Sequence, residues 1–204
     1  MCRFIETIKV ADGKILNLRP HLRRMMVTAG EFGFECPQVD RERLEEMASA
    51  TGGTAKLRFT YDREGIHDIT CTPYKMRRID RLRLVCCDTV EYQFKYENRS
   101  ALERLRTDVK AGEEILIVKN GLLTDTTYTN VALHDGTRWV TPRRPLLAGT
   151  KRAELTGEGV IAECDIRPSD VKDFNRVALF NAMIELGEIV MPVSAIMTWQ
   201  ARDK

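Results

Sequence analysis

Apolar and polar positions in the first third of the chain change from alternation to helical spacing and back to alternation. Residues 3–10 alternate and precede an Asp-Gly pair, which predicts a strand that ends in a tight turn. An apolar face at helical spacing follows, formed by Leu18, Leu22, Met25 and Met26. A second helix is predicted over residues 40–50, before a Gly-Gly pair. Residues 56–61 and 66–73 alternate around a turn, which is typical of a β-hairpin.

The rest of the chain is dominated by short apolar stretches that predict strands. These stretches are residues 82–87, 115–118, 122–123, 131–133, 139–140, 177–180 and 189–193, with a further alternating stretch at 92–94. The pairs Asn120-Gly121 and Asp135-Gly136 are typical of type I′ turns and predict hairpins.

Three helices are predicted among these strands. One begins near Ser100, where Ser100 and Glu103 have the spacing of a capping box, and ends by Gly112. A second covers residues 149–155, and a short third covers residues 168–172 with a proline in its first turn. The whole pattern predicts a mixed α/β (α+β) protein.

Length and composition are consistent with one or two globular domains. The chain has 204 residues, of which 43% are hydrophobic and 30% are charged, as in ordinary soluble proteins. Residues 74–83 are basic and less periodic than their surroundings. We therefore predict a small amino-terminal α/β domain over residues 1–80 and a larger carboxy-terminal domain over residues 81–204.

Charge, hydropathy and cysteine spacing argue against several classes of function. A net charge of +2 is too small to indicate nucleic-acid binding. Neither a secretory leader nor an apolar run of about 18 residues is present, so we expect a cytoplasmic protein without a membrane partner. Cysteine pairs at metal-binding spacing are absent, so we expect no metal site and reduced thiols.

The candidate chemistry lies in three motifs between residues 95 and 152. The first is Lys-x-x-Asn-Arg, beginning at Lys95. The second places Asp125 five residues before Asn130, and the third is a glycine turn, Gly149-Thr150-Lys151-Arg152. An amine, a carboxylate and the free amides of a helix start are what a pyridoxal 5′-phosphate (PLP) enzyme supplies to its cofactor.

Taken in this order, the motifs resemble those of the class IV aminotransferases, the family that joins branched-chain and D-amino-acid aminotransferases to 4-amino-4-deoxychorismate lyase. The pairs Glu6-Thr7 and His21-x-x-Arg24 are similar to two further family elements. The resemblance implies the two-unit class IV PLP fold, similar to that of D-amino-acid aminotransferase, with a shortened amino terminus. It also implies a homodimer.

The resemblance assigns a role to each candidate residue. Lys95 would be the Schiff-base lysine, and Asp125 would face the pyridine nitrogen. The other implied cofactor-binding residues are Arg24 at the phosphate, Asn130, Gly149, the backbone amides of Thr150 and Lys151, and Asn181. His21 is expected to be structural. Each residue alone also has an ordinary explanation, such as a surface lysine or a turn aspartate.

Two departures from the family pattern affect the expected substrate. The Glu-Thr element begins only six residues from the start of this sequence, so we expect it to lack a preceding segment that helps to form the substrate side in the family. Asp125 also replaces the usual glutamate and is one methylene shorter.

The motif details favour a lyase without excluding other activities. The Lys-x-x-Asn-Arg spacing and the Asn181-Ala182 pair resemble 4-amino-4-deoxychorismate lyase, which forms 4-aminobenzoate and pyruvate. One alternative is an aminotransferase acting on a small branched-chain or D-amino acid. Others are a non-catalytic relative with the same fold, or a binding module in which the motifs coincide by chance. In each enzymatic case the partner is a small-molecule amino substrate.

Overall fold

The computed structural model describes residues 2–197, which form two compact units. The first comprises residues 2–76 together with 94–98, and the second comprises residues 77–93 together with 99–197. Lys95 therefore belongs to the first unit, although it follows the predicted boundary in sequence. The predicted domain limits, 1–80 and 81–204, stay predictions.

The first unit is a four-stranded sheet with two helices. Its elements in chain order are β1 (Phe4–Ala11), β2 (Lys14–Ile15), α1 (Leu18–Glu31), α2 (Arg41–Ser49), β3 (Thr54–Asp62) and β4 (Gly65–Pro73). The strand order is β2-β1-β3-β4, and the pairs β1–β2, β1–β3 and β3–β4 are antiparallel. The predicted hairpin between residues 56 and 73 is confirmed.

Strict alternation along β1 decides which of its side chains face the core. Phe4, Glu6, Ile8 and Val10 are buried, whereas the residues between them are partly exposed. Because the period of a strand is two residues, the same alternation that buries three apolar side chains also buries a carboxylate. The position of Glu6 is thus a direct consequence of strand geometry.

Both predicted helices of this unit are present, with one correction to the apolar face of α1. Leu18 and Leu22 pack against the core and Met25 is fully buried, but Met26 is 64% exposed. Consecutive helical residues lie about 100° apart, and in α1 the core covers the Met25 side of the helix but not the Met26 side. At α2, Asp40 is the N-cap and its carboxylate accepts a hydrogen bond from the Arg43 amide.

The segment around Lys95 is held against β1 without being a strand, so the prediction of a strand at residues 92–94 was wrong. The Ile5 amide donates to the Lys95 carbonyl at 2.9 Å, and the Glu97 amide donates to the Arg3 carbonyl at 2.9 Å. Between them, Tyr96 forms an isolated bridge with Phe4. Two main-chain bonds therefore fix the backbone of Lys95 within the first unit.

The second unit contains two sheets and four helical segments. Its elements in chain order are β5 (Arg81–Cys86), α3 (Ser100–Leu105), β6 (Glu113–Lys119), β7 (Leu122–Thr126), β8 (Asn130–His134), β9 (Trp139–Pro142), α4 (Thr150–Gly157), β10 (Ile161–Cys164), a 3₁₀ helix (Pro168–Asp173), β11 (Arg176–Asn181), β12 (Ile184–Pro192), a second 3₁₀ helix (Val193–Ala195) and β13 (Ile196–Met197). The sheet orders are β13-β5-β6-β7 and β10-β9-β8-β11-β12.

Local signals in the second unit were correct at one turn and wrong at two other places. Asn120 and Gly121 both have positive φ, at 51° and 74°, which confirms the type I′ turn. At Asp135-Gly136 only the glycine has positive φ, so the second type I′ prediction was wrong. The capping-box prediction was also wrong, because the N-cap of α3 is Arg99 and no side-chain cap bond forms.

No helix within residues 2–197 has both the length and the apolar character needed to cross a membrane.

Candidate active site

Asp125 and Asn130 bracket the connection between β7 and β8. The Asn130 Nδ2 donates to Asp125 Oδ1 at 2.8 Å, and the Leu147 amide donates to Asp125 Oδ2 at 2.9 Å. The same Asn130 Nδ2 also donates to the Leu147 carbonyl at 2.9 Å. The predicted pair is therefore in contact, and the asparagine fixes the carboxylate with help from the segment before α4.

The electrostatic setting of Asp125 fits a cationic ligand. The side chain is 4% exposed, and burial raises its pKa to about 6 despite the bonds from Leu147 and Asn130. The Asn130 side chain and the backbone amides of Leu147 and Leu146 bond this carboxylate as neutral donors, and the positive charge of Arg152 also lowers its pKa. A carboxylate has about four acceptor sites, so Asp125 can accept a further bond from a protonated ring nitrogen, whose positive charge would offset the cost of burying the carboxylate.

The position of the Asn130 side chain requires a glycine at residue 149. A β-carbon added at this position would lie 2.0 Å from Asn130 Oδ1, far inside contact distance. Gly149 is also the N-cap of α4, so no side chain covers the first turn of that helix. A glycine here brings the helix start close to the Asp125–Asn130 pair, as a phosphate-binding turn requires.

The side chains that follow Gly149 are engaged within the protein. Lys151 Nζ lies 3.0 Å from Glu154 Oε1 and 2.9 Å from Glu185 Oε2. Burial alone would lower the pKa of Lys151, but these two carboxylates raise it above its usual value. Because the ammonium is already paired, any contribution of Lys151 to phosphate binding falls to its backbone amide, as the sequence suggested. Thr150 is buried.

Asn181 lies at the end of β11 and stabilises two local features. Its Nδ2 donates to the Tyr128 carbonyl at 3.0 Å, within the turn that joins Asp125 to Asn130. Its Oδ1 accepts hydrogen bonds from the Met183 and Ile184 amides. These three bonds are sufficient to account for an asparagine at this position, whether or not it contacts a cofactor. The predicted role of Asn181 in cofactor binding stays a prediction.

In the first unit, Arg24 is held by a buried carboxylate. Arg24 Nε donates to Glu6 Oε1 at 2.9 Å, and its Nη2 donates to Glu6 Oε2. His21 Nδ1 lies 2.6 Å from the same Oε2. Glu6 is fully buried, and its carboxylate therefore orients two side chains that are one turn apart on α1. Sequence reasoning named Glu6 as a family element but gave it no role.

The charge states of this cluster follow from burial and pairing. Burial alone would raise the pKa of Glu6, but the charge of Arg24 and the bonds from His21 and Arg24 lower it to about 2. Burial lowers the pKa of His21 and outweighs the Glu6 contact, which favours the neutral imidazole. A neutral His21 can bond to an ionised Glu6 only by donating from Nδ1, which fixes its tautomer. The expected structural role of His21 fits this arrangement.

The candidate residues thus fall into one group in each unit. Arg24 and Lys95 belong to the first unit, and Asp125, Asn130 and Gly149 form a connected cluster in the second. Their roles toward a cofactor stay predictions. Sequence reasoning did not find the Leu147 amide, because main-chain donors carry no residue signal.

The chain matches the family model described as amino-transferase class IV over residues 3–196. An uncharacterized protein of Haemophilus influenzae is 31% identical over 90% of this chain and 98% of its own length. A protein of Schizosaccharomyces pombe named "putative aminodeoxychorismate lyase" is 26% identical over 94% of this chain and 92% of its own length.

Two solved structures are similar over nearly the whole chain. A "putative 4-amino-4-deoxychorismate lyase" from Haemophilus somnus is 26% identical with a TM-score of 0.83, over 91% of this chain and 98% of that chain. A "putative amino-acid aminotransferase" from Mesorhizobium loti is 25% identical with a TM-score of 0.79, over 98% of this chain and 100% of that chain.

A cofactor is seen in a more distant neighbour. A "hypothetical aminotransferase" from Mycobacterium tuberculosis was solved with PLP bound and shares this fold at 18% identity and a TM-score of 0.73, over 90% of this chain and 78% of that chain. The family match covers almost the entire described chain, so the expected α/β fold and family are confirmed. The protein belongs to the class IV aminotransferases, whose members depend on PLP.

Proposed function

We propose that this protein is a PLP-dependent lyase that converts 4-amino-4-deoxychorismate into 4-aminobenzoate and pyruvate. The observation that carries the lyase assignment is the similarity, at a TM-score of 0.83 and 26% identity, to a solved protein named for that activity. The relative from S. pombe bears the same kind of name. The residue-level support for the cofactor is the buried Asp125 carboxylate, which Asn130 Nδ2 and the Leu147 amide hold in place by neutral hydrogen bonds.

Four groups of this chain would bind the cofactor. Arg24 and the backbone amides at the start of α4 would hold its phosphate, with Glu6 fixing the arginine. Asp125 would accept a hydrogen bond from the protonated pyridine nitrogen, and Asn130 would hold that carboxylate in place. Lys95 would be the covalent attachment point. When bound, PLP supplies an electron-accepting ring conjugated to the reacting carbon.

Lys95 would also move protons during the reaction. Its Nζ would remove the proton from the substrate carbon that carries the amino group. The bond between the neighbouring ring carbon and the enolpyruvyl oxygen would then break, and the ring would become aromatic. The departing enolpyruvate would take up a proton and become pyruvate. The substrate thus divides into two products without an oxidant, a reductant or a second substrate.

Transamination is the second candidate, and a specific observation favours it. The solved relative from M. loti, at 25% identity, is named as an amino-acid aminotransferase. In that case the substrate would be a small branched-chain or D-amino acid. Lys95 Nζ would again remove the proton from the substrate carbon, and a 2-oxo acid would be needed as the acceptor of the amino group.

Product analysis separates the two candidates. We expect purified protein with PLP to release 4-aminobenzoate and pyruvate from 4-amino-4-deoxychorismate in equal amounts, at a rate that added 2-oxo acids do not change. Lys95→Ala should abolish both products, whereas Lys172→Ala, which alters an exposed lysine of the 3₁₀ helix, should not. Product formation only from an amino donor with a 2-oxo acid would establish the aminotransferase. Cofactor binding without either activity would establish a non-catalytic relative.

A further inference from the structure

Glu114 is a buried carboxylate that the proposed mechanism does not use. It is the second residue of β6, where it precedes four buried apolar positions, and it is itself 0% exposed. Its neighbour Glu113 is partly exposed and accepts a hydrogen bond from the Lys110 amide in the preceding turn. Burying a carboxylate costs free energy that an apolar side chain would not incur.

Glu114 is surrounded by partners from several parts of the second unit. Its Oε1 accepts hydrogen bonds from the Ile115 amide and from Thr127 Oγ1, both at 3.0 Å. Arg106 Nε lies 3.4 Å from Oε1, and Arg77 Nη1 lies 3.6 Å from Oε2. Neither Arg106 Nε nor Glu114 Oε2 forms a hydrogen bond within residues 2–197, so the arginines act mainly through their charge.

Thr127 connects Glu114 and its partners to the candidate site. It lies in the turn that joins Asp125 to Asn130, and its hydroxyl donates to Glu114. Its carbonyl accepts a 2.7 Å hydrogen bond from Arg99 Nη2, so Thr127 is held at both its side chain and its main chain. Asp125 lies two residues before Thr127, near the end of β7.

Hydrogen bonds between residues of the turn itself also stabilise it. Thr126 Oγ1 accepts hydrogen bonds from the Tyr128 and Thr129 amides at 3.2 and 2.9 Å. The Thr126 amide donates to the Thr129 carbonyl at 3.0 Å. These bonds tie Thr127 to the end of β7 on one side and to the start of β8 on the other.

We propose that Glu114 is a positioning residue that holds Asp125 in register with the cofactor ring by anchoring the turn at Thr127. This role explains why a carboxylate is kept at a buried strand position: a directional bond to Thr127 fixes the turn, and an apolar side chain could not provide it. The inference rests on the proposed function, because it assumes that Asp125 faces PLP.

The test compares PLP affinity in single and double variants of the full chain after removal of cofactor. We expect Thr127→Val, which deletes the hydroxyl, to raise the dissociation constant for PLP about tenfold, a factor typical of one lost hydrogen bond to a charged group. Thr127→Ser keeps the hydroxyl and should restore wild-type affinity. Glu114→Gln should weaken binding in the same direction, and Glu113→Gln should leave it unchanged.

The effect of Thr127→Val in the absence of the Asp125 carboxylate distinguishes a positioning role from a general contribution to folding stability. In an Asp125→Asn background, Thr127→Val should cause little further loss of PLP affinity, because the group that it positions is gone. Equal losses in both backgrounds, or a failure of Thr127→Ser to restore affinity, would overturn the positioning role while leaving the proposed function intact. An Asp125→Asn protein that binds PLP as tightly as wild type would overturn the contact of Asp125 with PLP and with it the positioning role, whereas the proposed lyase activity is decided separately by product analysis. The threonine variants keep the test valid if Glu114→Gln does not fold.

Discussion

At the scale of single residues, Gly149 links stability to cofactor binding. Gly149→Ala would place a β-carbon 2.0 Å from Asn130 Oδ1, so either the start of α4 or Asn130 must move. We expect a loss of about 1–3 kcal/mol in the free energy of unfolding, together with weaker PLP binding. Chemical denaturation and cofactor titration measure the two effects.

Gly157→Ala is the matched control in the same helix. A β-carbon added at Gly157 would meet no atom within 4 Å, and the backbone there does not have a positive φ. Alanine should therefore be tolerated at this position without loss of PLP affinity. Equal stability of the Gly149→Ala and Gly157→Ala proteins would contradict the close contact between Gly149 and Asn130.

Asp125 should make the free energy of unfolding decrease as the pH rises, because its pKa is raised in the folded protein. Its folded pKa of about 6 exceeds the ordinary value of 3.8, so the folded protein binds this proton more tightly than the unfolded chain does. Its contribution is fully present below pH 3.8 and is lost as the pH rises through 6, by an amount on the order of 2–3 kcal/mol.

The Asp125→Asn protein should lack this part of the pH dependence. We expect unfolding measurements without cofactor, between about pH 4 and about pH 7, to show a smaller decline for Asp125→Asn than for wild type. Asp173→Asn changes an exposed carboxylate and serves as the control. Parallel curves for wild type and Asp125→Asn would show that Asp125 ionises normally in the folded protein.

At the scale of elements, the turn at Asn120-Gly121 should contribute measurably to the free energy of unfolding. Gly121 has a φ of 74° in the hairpin between β6 and β7, and a β-carbon is disfavoured there. Gly121→Ala should therefore lower the free energy of unfolding by about 1 kcal/mol. Gly52→Ala, at a glycine with ordinary φ and open surroundings, should have a smaller effect. Denaturant titration of both variants checks this difference.

Elements that local residues specify were predictable from sequence. The hairpin at Asn120-Gly121 and the helix that begins after Asp40 each depend on residues next to one another, and both predictions were correct. The parallel pairs β5–β6, β9–β10 and β5–β13 join segments that are distant in sequence. No turn residue marks such pairs, so their partners could not be read from the pattern.

The same distinction applies to the candidate site. Asp125 and Asn130 are five residues apart, and motif spacing singled out both residues, but their hydrogen bond is visible only in the structure. The role of Glu114 could not be foreseen, because its partner Thr127 is thirteen residues away and Glu113 beside it has the same side chain. Only the register of β6 decides which of the two carboxylates is buried.

At the scale of the whole molecule, the proposed function depends on PLP being attached to Lys95. Lys95 is the candidate residue that is expected to form a covalent bond with the cofactor. The most direct measurement is borohydride reduction of the PLP-loaded protein followed by peptide mapping. We predict that the reduced cofactor is found on the peptide containing Lys95, and that Lys95→Ala protein carries none. A label on another lysine, or no label on the loaded wild-type protein, would contradict the assignment.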